Sequence, residues 1–218
     1  MNLNIKRAEY IKKTYPHAQK EWSRYLRTDN ILYDMCKRWP HHNDLPAVQA
    51  KVTIIGRTYA AGLERKGGED YRKGILETVA NTLNKNSTRI DRDVATLRNL
   101  KQLSMIVQDC ILGTHGNMVS LLRKETKTKL NFRSFVSKYL HFHAPIVPLF
   151  DSRASSVIRE LYPWRRSRNR IRIFHKESYD EVYSKFFAQF MLYFNDLKEL
   201  KLSPTVRRAD YYLIWWAS

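Results

Sequence analysis

Apolar residues recur every three to four positions along most of this chain, which is the spacing of one face of an α-helix. The clearest case is residues 47–66, whose stripe consists of Val48, Val52, Ile55, Tyr59 and Leu63. Asp44 and Pro46 precede the stripe and Gly67 follows it, which is typical of a helix start and a helix end. The pattern therefore predicts a helix over residues 47–66.

Similar patterns predict further helices over residues 21–38, 70–83, 89–112, 117–125, 131–142, 151–162, 178–199 and 203–216. Ser178 and Glu181 have the spacing of a capping box at the start of one of them. Residues 113–116, Gly-Thr-His-Gly, are predicted to be a turn between two helices. Residues 51–55 and 170–174 could compete as short strands, although the helical stripe explains the first better. The prediction is an all-α fold of eight to nine helices.

The 218 residues contain no internal repeat, no low-complexity tract and no long linker, so we expect a single compact helical domain. A sub-division is expected within it. Residues 1–115 would form a helical platform, and residues 117–218 would carry the basic half of the molecule. The last predicted helix is expected to bury Leu213 and Trp216 and to keep an Arg–Asp pair on its outer face.

The chain is strongly basic, with 39 Lys and Arg against 21 Asp and Glu and a net charge of +18. Such a balance predicts a polyanionic partner, with DNA favoured and RNA as the alternative. Residues 119–176 alone hold fourteen Lys and Arg against three acids, Glu125, Asp151 and Glu160. This concentration favours a dedicated binding face over a uniformly basic surface.

Other classes of protein are disfavoured by the sequence. Cys36 and Cys110 each lie in an apolar helical pattern and are expected to be reduced, so no disulfide framework is predicted. The sequence has no signal peptide and no apolar run of membrane-spanning length, so a soluble, cytoplasmic protein without a membrane partner is expected. His141 and His143 would point about 200° apart on a helix. The two side chains could then not bind the same metal ion, so we expect no metal site. No cofactor is predicted.

Asp151 and the residues around it give the most information about function in this sequence. Asp151 is a single carboxylate that follows a Pro-rich turn and precedes a predicted helix, and Lys138 lies thirteen residues earlier. Asp151 could simply cap that helix. It could also stay ionised in a basic field and stabilise a developing cation or activate a nucleophile. Lys138 could be solvated, contact a phosphate, or act as a nucleophile if its pKa were lowered.

A dense run of arginines follows this segment. It comprises Arg165, Arg166, Arg168, Arg170 and Arg172, with Tyr162 and Trp164 beside it and no acid between Glu160 and Glu177. Guanidinium groups with neighbouring aromatic rings suit phosphate clamping and base stacking, although a solvated loop is the alternative. Lys138, His141 and Arg153 are further candidates for contact with nucleic acid.

Residues 137–153, with Pro145, Pro148 and Asp151, resemble the active-site helix, loop and Asp of the helix-hairpin-helix DNA glycosylase superfamily. The resemblance implies an all-α fold, DNA binding, and base excision from a flipped nucleotide, as in DNA repair, with Asp151 supporting the reaction. Tyr139, His141 or Trp164 would then line or wedge the base pocket.

Two features of that family's pattern differ here. The hairpin motif Leu-Pro-Gly-x-Gly is absent, and the position of the family's lysine nucleophile is occupied by Phe132 and Arg133. Two alternatives to a glycosylase-like hydrolase therefore remain open. One is a non-catalytic nucleic-acid-binding subunit on the same fold, and the other is a nucleotide- or tRNA-directed toxin or phage-defence effector.

Overall fold

A computed structural model describes residues 5–23, 25–59, 63, 74–127, 130–167 and 176–218. Within these ranges the chain forms ten helices of ten residues or more, one four-residue helix and no strand. The helices are α1 (Ile5–Trp22), α2 (Leu26–Arg38), α3 (Leu45–Thr58), α4 (Ile75–Lys85), α5 (Ser87–Arg98), α6 (Gln108–Thr126), α7 (Arg133–His143), α8 (Ser152–Leu161), α9 (Trp164–Ser167), α10 (Glu181–Glu199) and α11 (Val206–Trp216). The predicted all-α class is confirmed, and the predicted helix count is too low.

The first helix was missing from the prediction. α1 buries Ala8, Ile11, Tyr15, Ala18 and Trp22, which follow the helical spacing. Two of these five residues are alanines and the helix contains a proline, so the apolar signal in the sequence is weak. The buried face of α1 packs against α11, which connects the two ends of the chain.

Side chains cap several helices at their first turn. Asp44, Asp151 and Thr205 accept hydrogen bonds from backbone amides at the starts of α3, α8 and α11. The predicted capping box at Ser178 is wrong. Asp180 caps α10 instead, since its extended backbone lets the carboxylate accept a 2.8 Å hydrogen bond from the Tyr183 amide.

The predicted turn at residues 113–116 is also wrong, because these residues lie inside α6. The predicted helix over 89–112 is interrupted instead, since α5 ends at Arg98 and a 3₁₀ turn at Met105–Val107 precedes α6. The boundary expected between residues 115 and 117 therefore falls within one continuous helix. Residues 51–55 are helical within α3, and residues 170–174 lie outside the described part of the chain.

Gly116 allows the backbone before α10 to approach α6 closely. A Cβ atom at this position would lie 1.9 Å from the carbonyl oxygen of Ser178. We expect Gly116→Ala to destabilise the protein by about 1–3 kcal/mol, because the backbone there would have to move. Gly113→Ala is the matched control, since its Cβ would be 3.7 Å from the Tyr179 ring. Urea denaturation of both variants measures the difference, and equal midpoints would contradict the close packing.

α7 lies at the centre of the fold. Residues Phe135–His143 of this helix are all buried, which fits its packing against α2, α3, α5 and α6. Four of these buried residues are polar: Ser137, Lys138, His141 and His143. α8 packs against both α10 and α11 on another side of the core. None of the described helices has the length and apolarity needed to cross a bilayer.

Candidate active site

A pocket of about 720 Å³ opens where the start of α2, the end of α3, α7, the start of α8 and α11 meet. Its walls carry both residues that the sequence proposes as catalytic, Lys138 and Asp151. The other lining residues are Glu21, Tyr25, Thr28, Thr58, Tyr59, Leu149, Arg153, Arg207, Asp210, Tyr211, Ile214, Trp215 and Ser218. Most of these charged and aromatic groups come from helices distant in sequence.

The Pro-rich segment after α7 folds back onto that helix and so brings Asp151 to Lys138. The Phe150 amide donates a 2.9 Å hydrogen bond to Ser137 Oγ, and His141 Nδ1 lies 2.8 Å from the Val147 carbonyl oxygen. Tyr183 donates a 2.7 Å hydrogen bond to the carbonyl of Pro148 from α10. These contacts fix the segment from both sides.

Lys138 and Asp151 form a close ion pair at the pocket wall. Lys138 Nζ lies 3.2 Å from Asp151 Oδ2 and donates a 2.8 Å hydrogen bond to the carbonyl of Tyr59. Burial lowers the pKa of Lys138, and the Asp151 charge opposes that shift. Because the Tyr59 carbonyl and the Asp151 carboxylate both accept from it, the Lys138 amino group is held in place beside Asp151.

Asp151 caps α8 and lines the pocket at the same time. Its Oδ1 accepts a 3.0 Å hydrogen bond from the Arg153 amide, and the Arg153 side chain lies 3.9 Å away. Burial acts to raise the pKa of Asp151. The Lys138 charge and the hydrogen bond from the Arg153 amide outweigh burial, and the net pKa is lowered. The structural and functional interpretations of Asp151 are therefore compatible.

A second charged cluster, Asp29–Arg207–Asp210, lies beside this pair and was not predicted. Arg207 Nε and Nη2 donate to Asp29 at 2.7 and 3.1 Å, and Nη1 donates to Asp210 Oδ2 at 2.6 Å. Tyr59 donates its hydroxyl to Asp29 Oδ1. All three charged residues of the cluster are buried. The expectation of an Arg–Asp pair on the outer face of the last helix is therefore wrong.

Aromatic rings form another part of the pocket that the sequence did not reveal. Tyr25 from the start of α2 and Tyr211 from α11 have ring centroids 5.8 Å apart. Trp215 lines the same pocket one helical turn beyond Tyr211. Flat rings of this kind can stack against a flat ligand.

Two residues expected near a base are buried away from the pocket. His141 Nε2 lies 2.6 Å from the Tyr33 hydroxyl and its Nδ1 faces the Val147 carbonyl, so both ring nitrogens have partners inside the protein. Tyr139 is fully buried in the core. Neither residue lines the pocket, which corrects the expectation that they contact nucleic acid there.

The arginine run is only partly described. Arg165 is exposed on α9, while Trp164 beside it is half-buried against the core. Neither residue lines the pocket. The side chain of Arg166 and all of residues 168–175, which include Arg168, Arg170 and Arg172, lie outside the described residues. Arg153 is exposed and lines the pocket, so among the predicted nucleic-acid contacts that the structure describes it is the one placed at the rim.

In the described part of the chain, no group of three or more His, Cys, Asp and Glu side chains is arranged to hold a metal ion. Cys36 and Cys110 are both free thiols, the first buried and the second half-buried.

Comparisons with protein-family models, with curated proteins and with solved structures give no match to this chain. The resemblance to helix-hairpin-helix DNA glycosylases therefore stays a prediction drawn from residues 137–153.

Proposed function

We propose that this protein binds DNA and hydrolyses the N-glycosidic bond of a nucleotide turned out of the strand into the pocket, with Asp151 as a catalytic carboxylate. The observation that carries the proposal is the placement of Asp151 on the wall of a pocket of about 720 Å³. Cleavage of a glycosidic bond builds positive charge on the sugar ring, and a fixed carboxylate stabilises that charge.

The pocket has the size and lining that such a substrate needs. Its volume of about 720 Å³ falls within the roughly 300–1,000 Å³ typical of small-molecule sites. Tyr25, Tyr211 and Trp215 offer aromatic surface for a nucleobase, while Asp151 and Lys138 supply charge on another wall. A base inside a duplex cannot reach such a site unless it leaves the stack.

The charge of the protein supports DNA as the partner. The net charge is +18, and residues 119–176 carry a large share of the excess. Arg153 at the pocket rim and Arg165 on α9 are exposed members of that segment. Exposed arginines of this kind contact phosphates and give a salt-dependent affinity.

Lys138 has a positioning role in this proposal. Its ion pair keeps the Asp151 carboxylate charged and holds it in place, and its second hydrogen bond anchors the amino group to the Tyr59 carbonyl. The proposal therefore needs no covalent intermediate on this lysine.

The direct test is base release by an Asp151→Asn variant. Wild-type and variant protein are incubated with genomic DNA, and free bases and abasic sites are quantified by mass spectrometry and aldehyde labelling. We expect release to fall about a hundredfold or more, because the electrostatic stabiliser of the cationic sugar is lost. DNA affinity at fixed salt should change less than about twofold, since one carboxylate alters few phosphate contacts.

Asp109→Asn is the matched control. Asp109 is exposed on α6 and pairs with Lys176 at 2.8 Å, so this variant also loses one carboxylate with a lysine partner, away from the pocket. Equal base release by the two variants would contradict the proposal. DNA binding that weakens steeply with salt, without base release by the wild type, would favour the non-catalytic binding subunit.

A further inference from the structure

We propose that Asp210 is a second catalytic residue of this pocket and donates a proton to the departing base. This inference rests on the proposed hydrolysis of an N-glycosidic bond and names the acid that this reaction needs. Asp210 lines the same pocket as Asp151 but belongs to α11.

The two neighbouring charged clusters together contain three carboxyl groups and two cations. Lys138 and Asp151 form one pair with no net charge. Arg207 lies between two buried carboxyl groups, Asp29 and Asp210, and contacts both. If both carboxyl groups were ionised, this cluster would carry a net negative charge in the protein interior, where unpaired charge is costly. A proton on one of the two restores neutrality.

Asp29 and Asp210 differ in their hydrogen bonds, and this difference decides which carboxyl group holds the proton. Asp29 receives two N–H groups of Arg207 and the hydroxyl of Tyr59, all of which stabilise a carboxylate. Asp210 receives a single N–H group of Arg207, on Oδ2. Its Oδ1 is buried and has no hydrogen-bond partner among the described residues. Oδ1 of Asp210 is therefore the site for the proton, and the proposed donation requires this buried carboxyl group to turn towards the pocket when a base is bound.

The electrostatic surroundings of Asp210 agree with this assignment. Burial raises the pKa of Asp210 to about 6, with the Asp151 charge acting in the same direction and the Arg207 and Lys138 charges opposing it. Tyr33 on α2 and Tyr193 on α10 are near enough to this carboxyl group to interact with its charge. Burial raises the pKa of both tyrosines, so they are uncharged. Asp151, in contrast, has a lowered pKa. Two carboxyl groups in one pocket with opposite shifts suit an acid and a base.

The reaction step balances with these two groups. The bond between C1′ and the base nitrogen breaks, its electron pair leaves with the base, and the proton on Asp210 Oδ1 neutralises that base. A water oxygen bonds to C1′, and Asp151, which has stabilised the cationic sugar, takes the surplus proton of the water. Exchange with solvent then returns the proton to Asp210 and the charge to Asp151.

The wild-type pH profile of single-turnover base release gives the first test. Because the donor has a pKa of about 6, the rate should fall about tenfold per pH unit once Asp210 ionises in the enzyme–DNA complex. Asp210→Asn should lower the rate at the optimum about a hundredfold or more and remove this alkaline limb. Asp210→Glu, which keeps a carboxyl group, should retain the limb. A wild-type rate that is flat from about pH 6 to pH 8 would overturn the inference even if a variant failed to fold.

A second readout separates proton donation from a structural role. Guanine methylated at N7 is cationic, so it leaves as a neutral base without a proton donor. On DNA treated with dimethyl sulfate, Asp210→Asn should change release of this base less than about threefold, whereas Asp151→Asn should still lower it strongly. If Asp210→Asn lowered the release of neutral and cationic bases equally, the proton-donor role of Asp210 would be overturned and the proposed function would stand. Base release unaffected by Asp151→Asn would overturn the proposed function itself.

Discussion

Arg207→Ala is expected to destabilise the protein by about 3–5 kcal/mol, because it removes the cation shared by two buried carboxyl groups. Arg207 donates three hydrogen bonds to Asp29 and Asp210, and none of the three side chains is exposed. The ring of Tyr59 also loses its contact with the guanidinium group, 5.6 Å from the ring centroid. Urea denaturation with an intrinsic tryptophan signal measures the change.

The adjacent residue provides the control. Arg208 is exposed and its guanidinium lies over the ring of Trp22, so Arg208→Ala should cost less than about 1 kcal/mol. Adding Asp29→Asn and Asp210→Asn to an Arg207→Met variant removes the uncompensated charge and should restore part of the loss. Similar losses for Arg207→Ala and Arg208→Ala would contradict the buried cluster.

Acid is expected to unfold the protein at a mildly acidic pH because four histidines are buried in their neutral form. Burial lowers the pKa of His42 and His115 to about 4, that of His141 to about 3, and that of His143 well below its usual value. Below about pH 6.5 the unfolded chain binds protons at these side chains and the folded protein does not. Stability must therefore fall as the pH falls from about 7 towards about 4.

The expected size of this effect is large. Each such histidine contributes up to about 1.4 kcal/mol per pH unit within that window, so the four together can exceed the stability of a typical domain. Asp210 opposes this loss of stability. Its pKa is raised to about 6, so as the pH falls the folded protein binds this proton at a higher pH than the unfolded chain does. Urea midpoints at successive pH values measure the slope. A flat profile between about pH 7 and pH 5 would contradict the burial of the four rings.

The fold class could be predicted from the sequence because the apolar stripes of helices such as α3 are regular. The prediction failed where local signals were weak or misleading. The apolar stripe of α1 is weak because two of its buried residues are Ala8 and Ala18. Gly116 looks like a turn residue in the sequence, but in the fold it allows the backbone at Ser178 to approach α6 closely. Glycine is used for tight turns and for close approach alike, and only the packing of distant segments distinguishes the two uses.

The candidate site could be predicted only in part, for a similar reason. Asp151 and Lys138 lie thirteen residues apart around a Pro-rich turn, so a local pattern indicates both. Asp29 and Arg207 are separated by 178 positions, and their hydrogen bonds arise only because α2 and α11 meet in the fold. The sequence does place Arg207 and Asp210 three residues apart, which puts them on one face of a helix. What the sequence did not show is that this face is buried.

Recognition of positive charge on a bound sugar by Asp151 can be measured directly. Two oligonucleotides are compared by affinity, one carrying a cationic pyrrolidine in place of the sugar and base, the other an uncharged tetrahydrofuran of the same shape. The wild type should bind the cationic duplex about tenfold or more tightly than the neutral one, as expected for a mimic of the transition state. Asp151→Asn should abolish this preference while Asp109→Asn keeps it. An equal preference in all three proteins, or none in the wild type, would contradict the assignment of Asp151 as the catalytic carboxylate.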